Sequence, residues 1–189
     1  MPISKELFGQ LTNKYSPLVK WAFESNQIYT NINIPIKWCF GYDDNPKITA
    51  IVNRETNIIT VNILFVDEAY TNDKIYEIEY FLLHEMRHVY QHLQIEKYKN
   101  KEITVVDPKY IKLWIKEGNN YIKSLDEDGN ENIEYFKQDC ELDAYAFSFA
   151  VMHLKYKGIY DSKLFIPEIY KNELKEEFAS AVNEFLNNI

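Results

Sequence analysis

The spacing of apolar residues first predicts a helical element at the start of the chain, within residues 1–30. Apolar side chains recur at helical intervals between residues 4 and 24, but Pro17 stands in the middle of them. Proline is tolerated in the first turn of a helix and disrupts a helix interior. The pattern therefore predicts two short helices that meet near Ser16 and Pro17.

The pattern changes to that of β-strands within residues 32–66. Strand-forming residues are concentrated in three segments separated by polar turns, at residues 34–40, 48–52 and 58–66. In the third segment apolar residues at every second position, from Ile59 to Phe65, indicate a half-buried strand. The most economical arrangement of three consecutive strands is a small antiparallel sheet, a meander.

Helical spacing then continues to the end of the chain. It predicts a long helix at residues 73–97, a second at 108–122 with Asp107 as its N-cap, and a third at 133–157. A last amphipathic helix follows within residues 165–189. Because no repeat or long linker separates these elements, we expect one α+β domain covering residues 1–189.

Composition disfavours several classes of function. The formal net charge of −8 and the lack of a Lys/Arg block argue against binding to nucleic acid or to an anionic membrane. No secretory signal pattern and no membrane-length apolar segment is present, so we expect a cytoplasmic protein. Cys39 and Cys140 share no metal-binding spacing and are expected to be buried free thiols. Of the basic residues only Arg54 and Arg87 are arginines, a bias typical of AT-rich bacterial or phage genes.

The most informative stretch, FLLHEMRHVYQ at residues 81–91, contains an H-E-x-x-H pattern formed by His84, Glu85 and His88. Residues i and i+4 share a face of a helix, so both imidazoles can meet one metal ion. Glu85 can reach a water bound to that ion, the role of the general base in zinc metallopeptidases. The alternative is that both histidines are half-exposed helix residues without a ligand.

A catalytic zinc site needs a third protein ligand and an open position for water. His92 lies too far along the helix, because eight residues at 1.5 Å each separate it from His84 by about 12 Å. The extended H-E-x-x-H-x-x-G-x-x-H motif is also absent, since Gln91 and Gln94 occupy its Gly and last His positions. The third ligand must therefore come from another element.

Glu141 is the best candidate for this third ligand. It precedes Ala144 and Phe147 at intervals of three residues on a predicted helix, and a small residue one turn after the Glu would permit a close helix crossing. The weaker alternatives are Asp139, Asp143 and His153. Asp143 could instead orient a ligand histidine through its free ring N–H.

An H-E-x-x-H helix followed by E-x-x-A-x-x-F on a later helix resembles the gluzincin-type zinc metallopeptidases. Within these, the pattern is most similar to the ImmA/IrrE-like minimal zincins of bacteria and mobile elements, over about residues 45–155. The resemblance implies a zincin-like fold and one zinc ion bound by His84, His88 and Glu141, with Glu85 as general base.

The resemblance also implies that the strand at residues 58–66 borders the cleft, where an extended substrate could add to its edge. Two positions depart from the family pattern: Arg87 replaces the usual Gly, and Tyr145 replaces the Asp of the larger gluzincins. We expect Arg87 to brace the helix through a salt bridge rather than to bind substrate. Tyr90 and Tyr145 could donate to an oxyanion, although a packing role is the default expectation for both. Of the two, Tyr145 is the catalytic candidate.

These patterns together predict a zinc-dependent peptidase acting on a protein or peptide substrate. Glu85 would take a proton from the metal-bound water and pass it to the leaving amine. The alternative is a catalytically silent zincin-fold protein that binds or regulates a partner, for instance in a mobile element or phage. A structural zinc domain is disfavoured, because three ligands beside a Glu form the open, catalytic kind of site.

Overall fold

The computed structural model describes residues 3–45, 48–125 and 130–188. These ranges contain eight α-helices and three strands, which confirms the α+β prediction. The chain divides into two compact units, Met1–Val89 and Tyr90–Ile189, and the first unit holds all three described strands. The expectation of a single domain stays a prediction.

Helix α1 (Lys5–Asn26) crosses Pro17 without a break, so the prediction of two short helices is wrong. Proline inside a helix costs about 3 kcal/mol. Residues on both sides of Pro17 nevertheless share one buried face, which includes Tyr15, Val19 and Phe23. Burial of this continuous face offsets the cost of the proline.

The strands β1 (Lys37–Gly41), β2 (Ala50–Val52) and β3 (Ile58–Asn62) form a mixed sheet in the order β1–β3–β2. Strand β3 pairs in parallel with β1 and antiparallel with β2, so the predicted antiparallel meander is wrong. Because β3 is central, the edge that a substrate strand was expected to join is already paired. That expectation is also wrong.

The predicted third strand is too long, because β3 ends at Asn62 and helix α2 (Ile63–Thr71) begins directly after it. Asn62 is 3% exposed and is the N-cap residue of α2. Its side-chain oxygen accepts a hydrogen bond from the backbone N–H of Leu64. Its amide nitrogen donates to the carbonyl oxygens of Asp43 and Ile48. One buried side chain therefore starts the helix and also holds the connection between β1 and β2.

Helix α3 (Ile75–Lys99) confirms the predicted long helix, displaced by two residues at each end. All ten residues from 82 to 91 are buried, although six of them are charged or carry a polar group. An ordinary surface helix would keep such residues in water. The buried polar side chains of residues 82–91 are therefore candidates for a functional role.

The second unit contains more helices than the sequence predicts. They are α4 (Pro108–Asn119), α5 (Ile133–Phe136), α6 (Asp139–Tyr156), α7 (Glu168–Lys171) and α8 (Lys175–Asn188). Asp107 caps α4 as predicted, by accepting a hydrogen bond from the backbone N–H of Lys109. The single helix predicted at 133–157 is wrong, because the backbone at Gln138 is extended and separates α5 from α6. The single C-terminal helix is likewise two helices, separated at Asn172.

Helix α6 is the centre of the second unit and packs against α4 and α8. The contact with α8 is aromatic: the ring centroids of Phe147 and Phe185 are 5.5 Å apart, and those of Phe149 and Phe178 are 6.0 Å apart. This packing fixes the helix that carries Glu141.

The two cysteines differ in their surroundings. Both are thiols outside any disulfide, as predicted, and Cys140 is buried in α6. Cys39 is exposed, so the prediction that it is buried is wrong, because its side chain lies on the solvent face of β1. Among the described residues, no helix combines the length and the apolar character needed to cross a membrane.

Candidate metal centre

Helix α3 places two imidazoles beside each other. His84 and His88 are one helical turn apart, and their Nε2 atoms are 3.0 Å from each other. Their exposed fractions are 3% and 8%, so both side chains are buried and not half-exposed, while the binding of a ligand by them stays a prediction. Two ligands of a tetrahedral zinc ion, each about 2.0–2.1 Å from it, are separated by about 3.3 Å. The spacing of the two nitrogens therefore fits binding of one shared ion.

Glu141 completes a set of three candidate ligands. It lies in the first turn of α6 and its side chain is fully buried. His84, His88 and Glu141 each offer one ligand atom, and these atoms all lie within 4.8 Å of one another. In the part of the chain that the structure describes, these three side chains form the one group of this kind. Two imidazole nitrogens and a carboxylate oxygen are a donor set that zinc takes in catalytic sites, so the residues fit this ion.

Gln91 links helix α3 to the beginning of α6. It is 2% exposed, and its amide nitrogen donates to the carbonyl oxygen of Cys140 at 2.9 Å and to Oδ2 of Asp143 at 2.7 Å. Gln91 lies three residues after His88, and Cys140 directly precedes Glu141. The amide of Gln91 therefore holds α3 and the first turn of α6 in register next to the candidate ligands.

The N-terminus of α6 is capped by a residue from another helix. The carboxylate of Glu117, near the end of α4, accepts hydrogen bonds from the backbone N–H groups of Asp139 at 2.7 Å and Cys140 at 3.0 Å. A negative charge at this position also complements the helix dipole. Burial nevertheless raises the pKa of Glu117, and its two N–H partners reduce that rise by favouring the charged form. The cap fixes the turn in which Glu141 lies.

Gln138 fixes the segment that follows α4. Its side-chain oxygen accepts a hydrogen bond from the backbone N–H of Ile122, and its amide nitrogen donates to the carbonyl oxygen of Ile122, each at 3.2 Å. The same nitrogen donates to the carbonyl oxygen of Tyr135 at 3.1 Å. The backbone beside Tyr121 is therefore held against the start of α6.

Two tyrosines surround the carboxylate of Glu141. The hydroxyl of Tyr121 donates to its Oε1 at 3.0 Å. The rings of Tyr121 and Tyr135 pack edge to face, with centroids 6.1 Å apart. Burial, and next the negative charge of Glu141, raise the pKa of Tyr135 well above its usual value. The phenol of Tyr135 therefore remains protonated near neutral pH and can donate a hydrogen bond.

Glu85 and Arg87 accompany the histidines on α3. Glu85 directly follows His84 and precedes His88 by three residues, so it lies on an adjacent part of the helix surface. Their exposed fractions are 8% for Glu85 and 9% for Arg87. Burial of an ion costs several kcal/mol unless charges or hydrogen bonds compensate it. The catalytic role of Glu85 and the bracing role of Arg87 stay predictions.

Tyr145 lies in an aromatic cluster. It is 6% exposed, and the ring centroids of Phe136, Phe165 and Tyr170 lie 6.0, 6.2 and 5.8 Å from its own. These contacts support the packing role that is the default expectation for this residue. Donation by Tyr145 to an oxyanion stays a prediction.

The other candidate ligands are not members of the described His–His–Glu group. His153 instead lies near the end of α6, where its Nδ1 is 2.7 Å from Oδ2 of Asp161. Asp143 accepts a hydrogen bond from Gln91, and Asp139 is exposed at the start of α6. His92 also lies outside the group, in agreement with the helix geometry that excluded it.

Sequence reasoning missed the residues that hold Glu141 in place, namely Glu117, Tyr121, Tyr135 and Gln138. They come from α4, from α5 and from the segments around these helices, and no local pattern distinguishes them. The chain contains 15 tyrosines, so residue type alone could not single out two of them. The one available signal was that a buried carboxylate requires hydrogen-bond donors.

Comparison with known proteins adds no relative to this description. No protein-family model, curated protein or solved structure matches the chain.

Proposed function

We propose that the protein is a zinc-dependent metallopeptidase with a zincin-like fold, in which His84, His88 and Glu141 bind one zinc ion. The observation that carries this proposal is the group of three buried side chains whose ligand atoms lie within 4.8 Å of one another. Three protein ligands leave one position of a tetrahedral ion for water, as in catalytic sites. The substrate class is a protein or peptide.

Glu85 is the general base in this proposal. Zinc, when bound, polarises the scissile carbonyl group and makes a bound water acidic near neutral pH. The Glu85 carboxylate takes the proton of the attacking water and delivers it to the leaving amine. Its support is its place in the helix, adjacent to His84 and one turn before His88.

Residues other than the three proposed zinc ligands hold this site in position. Gln91 holds the first turn of α6 through Cys140 and Asp143, and Glu117 caps the same turn. Well-oriented groups lower a reaction barrier because less orientational entropy is lost on reaching the transition state. These contacts support a site that is formed before any substrate binds.

Replacing Glu85 with Gln tests the proposed function. The substitution keeps the size of the side chain and removes the base, so hydrolysis should fall by about 10²–10⁴-fold while zinc remains bound. Cleavage is measured by mass spectrometry on a mixed peptide library, and zinc by elemental analysis of the same samples. Glu96→Gln is the matched control, because Glu96 is an exposed residue on the same helix.

Three outcomes separate the possibilities. Cleavage by the wild type and Glu96→Gln but not by zinc-loaded Glu85→Gln supports the proposal. Equal cleavage by Glu85→Gln rules out Glu85 as the base. Bound zinc with no cleavage by any of the three proteins contradicts a peptidase and favours the catalytically silent binding protein.

A further inference from the structure

The hydroxyl of Tyr121 donates a hydrogen bond to Oε1 of the Glu141 carboxylate at 3.0 Å. Glu141 is 0% exposed, while Tyr121 is 40% exposed. The phenol therefore extends from a partly open segment to a fully buried carboxylate. A carboxylate bound to a metal usually depends on such a partner for its orientation.

The position of Tyr121 is itself determined by several contacts. The next residue, Ile122, exchanges two hydrogen bonds with the side chain of Gln138. The Tyr121 ring also packs edge to face on Tyr135, which is 8% exposed. Because these contacts hold the backbone beside Tyr121 and its ring, its hydroxyl can orient the Glu141 carboxylate with little further loss of conformational entropy.

We propose that Tyr121 is a positioning residue of the metal centre, whose hydroxyl orients Glu141 as a ligand through its hydrogen bond to Oε1. The inference rests on the proposed function, because it assigns Glu141 to metal binding. It adds a residue from the segment after α4 to a site otherwise formed by α3 and α6. Tyr121 does not act on the substrate in this proposal, and its effect is exerted through Glu141.

Zinc affinity tests this role without reference to activity. Tyr121→Phe removes only the hydroxyl, and loss of an outer partner of a ligand typically weakens metal affinity by about 10–100-fold. Affinity is measured by competition with a chromophoric chelator. Tyr110→Phe is the matched control, because Tyr110 is 42% exposed on α4 and lies outside the described group. Its zinc affinity should equal that of the wild type.

A double-mutant cycle with Glu141→Gln distinguishes positioning from a general structural effect. If Tyr121 acts through Glu141, Tyr121→Phe weakens zinc binding in the wild type and has little further effect in the Glu141→Gln background. An equal loss of zinc affinity in both backgrounds overturns the inference. The inference is also overturned if the wild type binds zinc and Tyr121→Phe binds it with the same affinity. Failure of the wild type to bind zinc would instead overturn the proposed metal centre, and this inference with it.

Discussion

Replacing Gln91 with Met tests whether this amide joins α3 to α6. Methionine has a similar volume but removes the hydrogen bonds to Cys140 and Asp143. The bond to a neutral carbonyl contributes about 1 kcal/mol, and the bond to the Asp143 carboxylate about 1.5–3 kcal/mol. Additional apolar burial offsets about 1 kcal/mol of this loss, so we expect a net destabilisation of about 1.5–3 kcal/mol. For a chain of this size this lowers the melting temperature by about 3–12 °C.

The matched control is Gln94→Met, one turn further along the same helix. Gln94 is 4% exposed, and among the described residues its amide oxygen is buried without a hydrogen-bond partner. Removing this amide should therefore be neutral or slightly stabilising. Urea unfolding with a chelator present keeps metal binding from contributing to the comparison. Equal destabilisation by the two substitutions would refute the linking role of Gln91.

Two further predictions concern stability. Glu117→Ala removes both acceptors at the N-terminus of α6 and should destabilise the protein by about 1–2 kcal/mol, measured by urea unfolding; an unchanged midpoint would contradict the capping role. Gly41→Ala would bring a Cβ into steric conflict with Cγ2 of Thr60 and should cost about 1–3 kcal/mol in thermal unfolding. Thr60→Ser removes that methyl group, so the double variant should recover part of the loss, and no recovery would contradict the steric explanation.

Local patterns predicted features within single elements better than the pairing of the strands. The cap at Asp107 and the length of α3 depend on residues close in sequence, and both predictions are confirmed. The parallel pairing of β1 with β3 is a contact between distant segments, which alternation along one strand cannot reveal. Likewise, the helix across Pro17 depends on a buried face that only tertiary packing creates.

The candidate site likewise combines a local feature that the sequence predicts with tertiary contacts that it does not predict. The proximity of His84 and His88 follows from the period of one helix, and the structure places their Nε2 atoms 3.0 Å apart. Glu141 was selected by its spacing from Ala144, and the structure brings it into the same group. Tyr121 could not be predicted, because its contact with Glu141 depends on the path of the segment after α4.

The most direct test of the central claim is the zinc coordination of the purified protein, measured by elemental analysis and X-ray absorption at the zinc edge. The account predicts one zinc ion per chain with two imidazole nitrogens at about 2.0–2.1 Å and oxygen ligands completing the shell. The stoichiometry should fall in His88→Ala and in Glu141→Ala. Absence of zinc from protein prepared without chelator and then incubated with it, or a shell with no imidazole, would contradict the proposed metal centre.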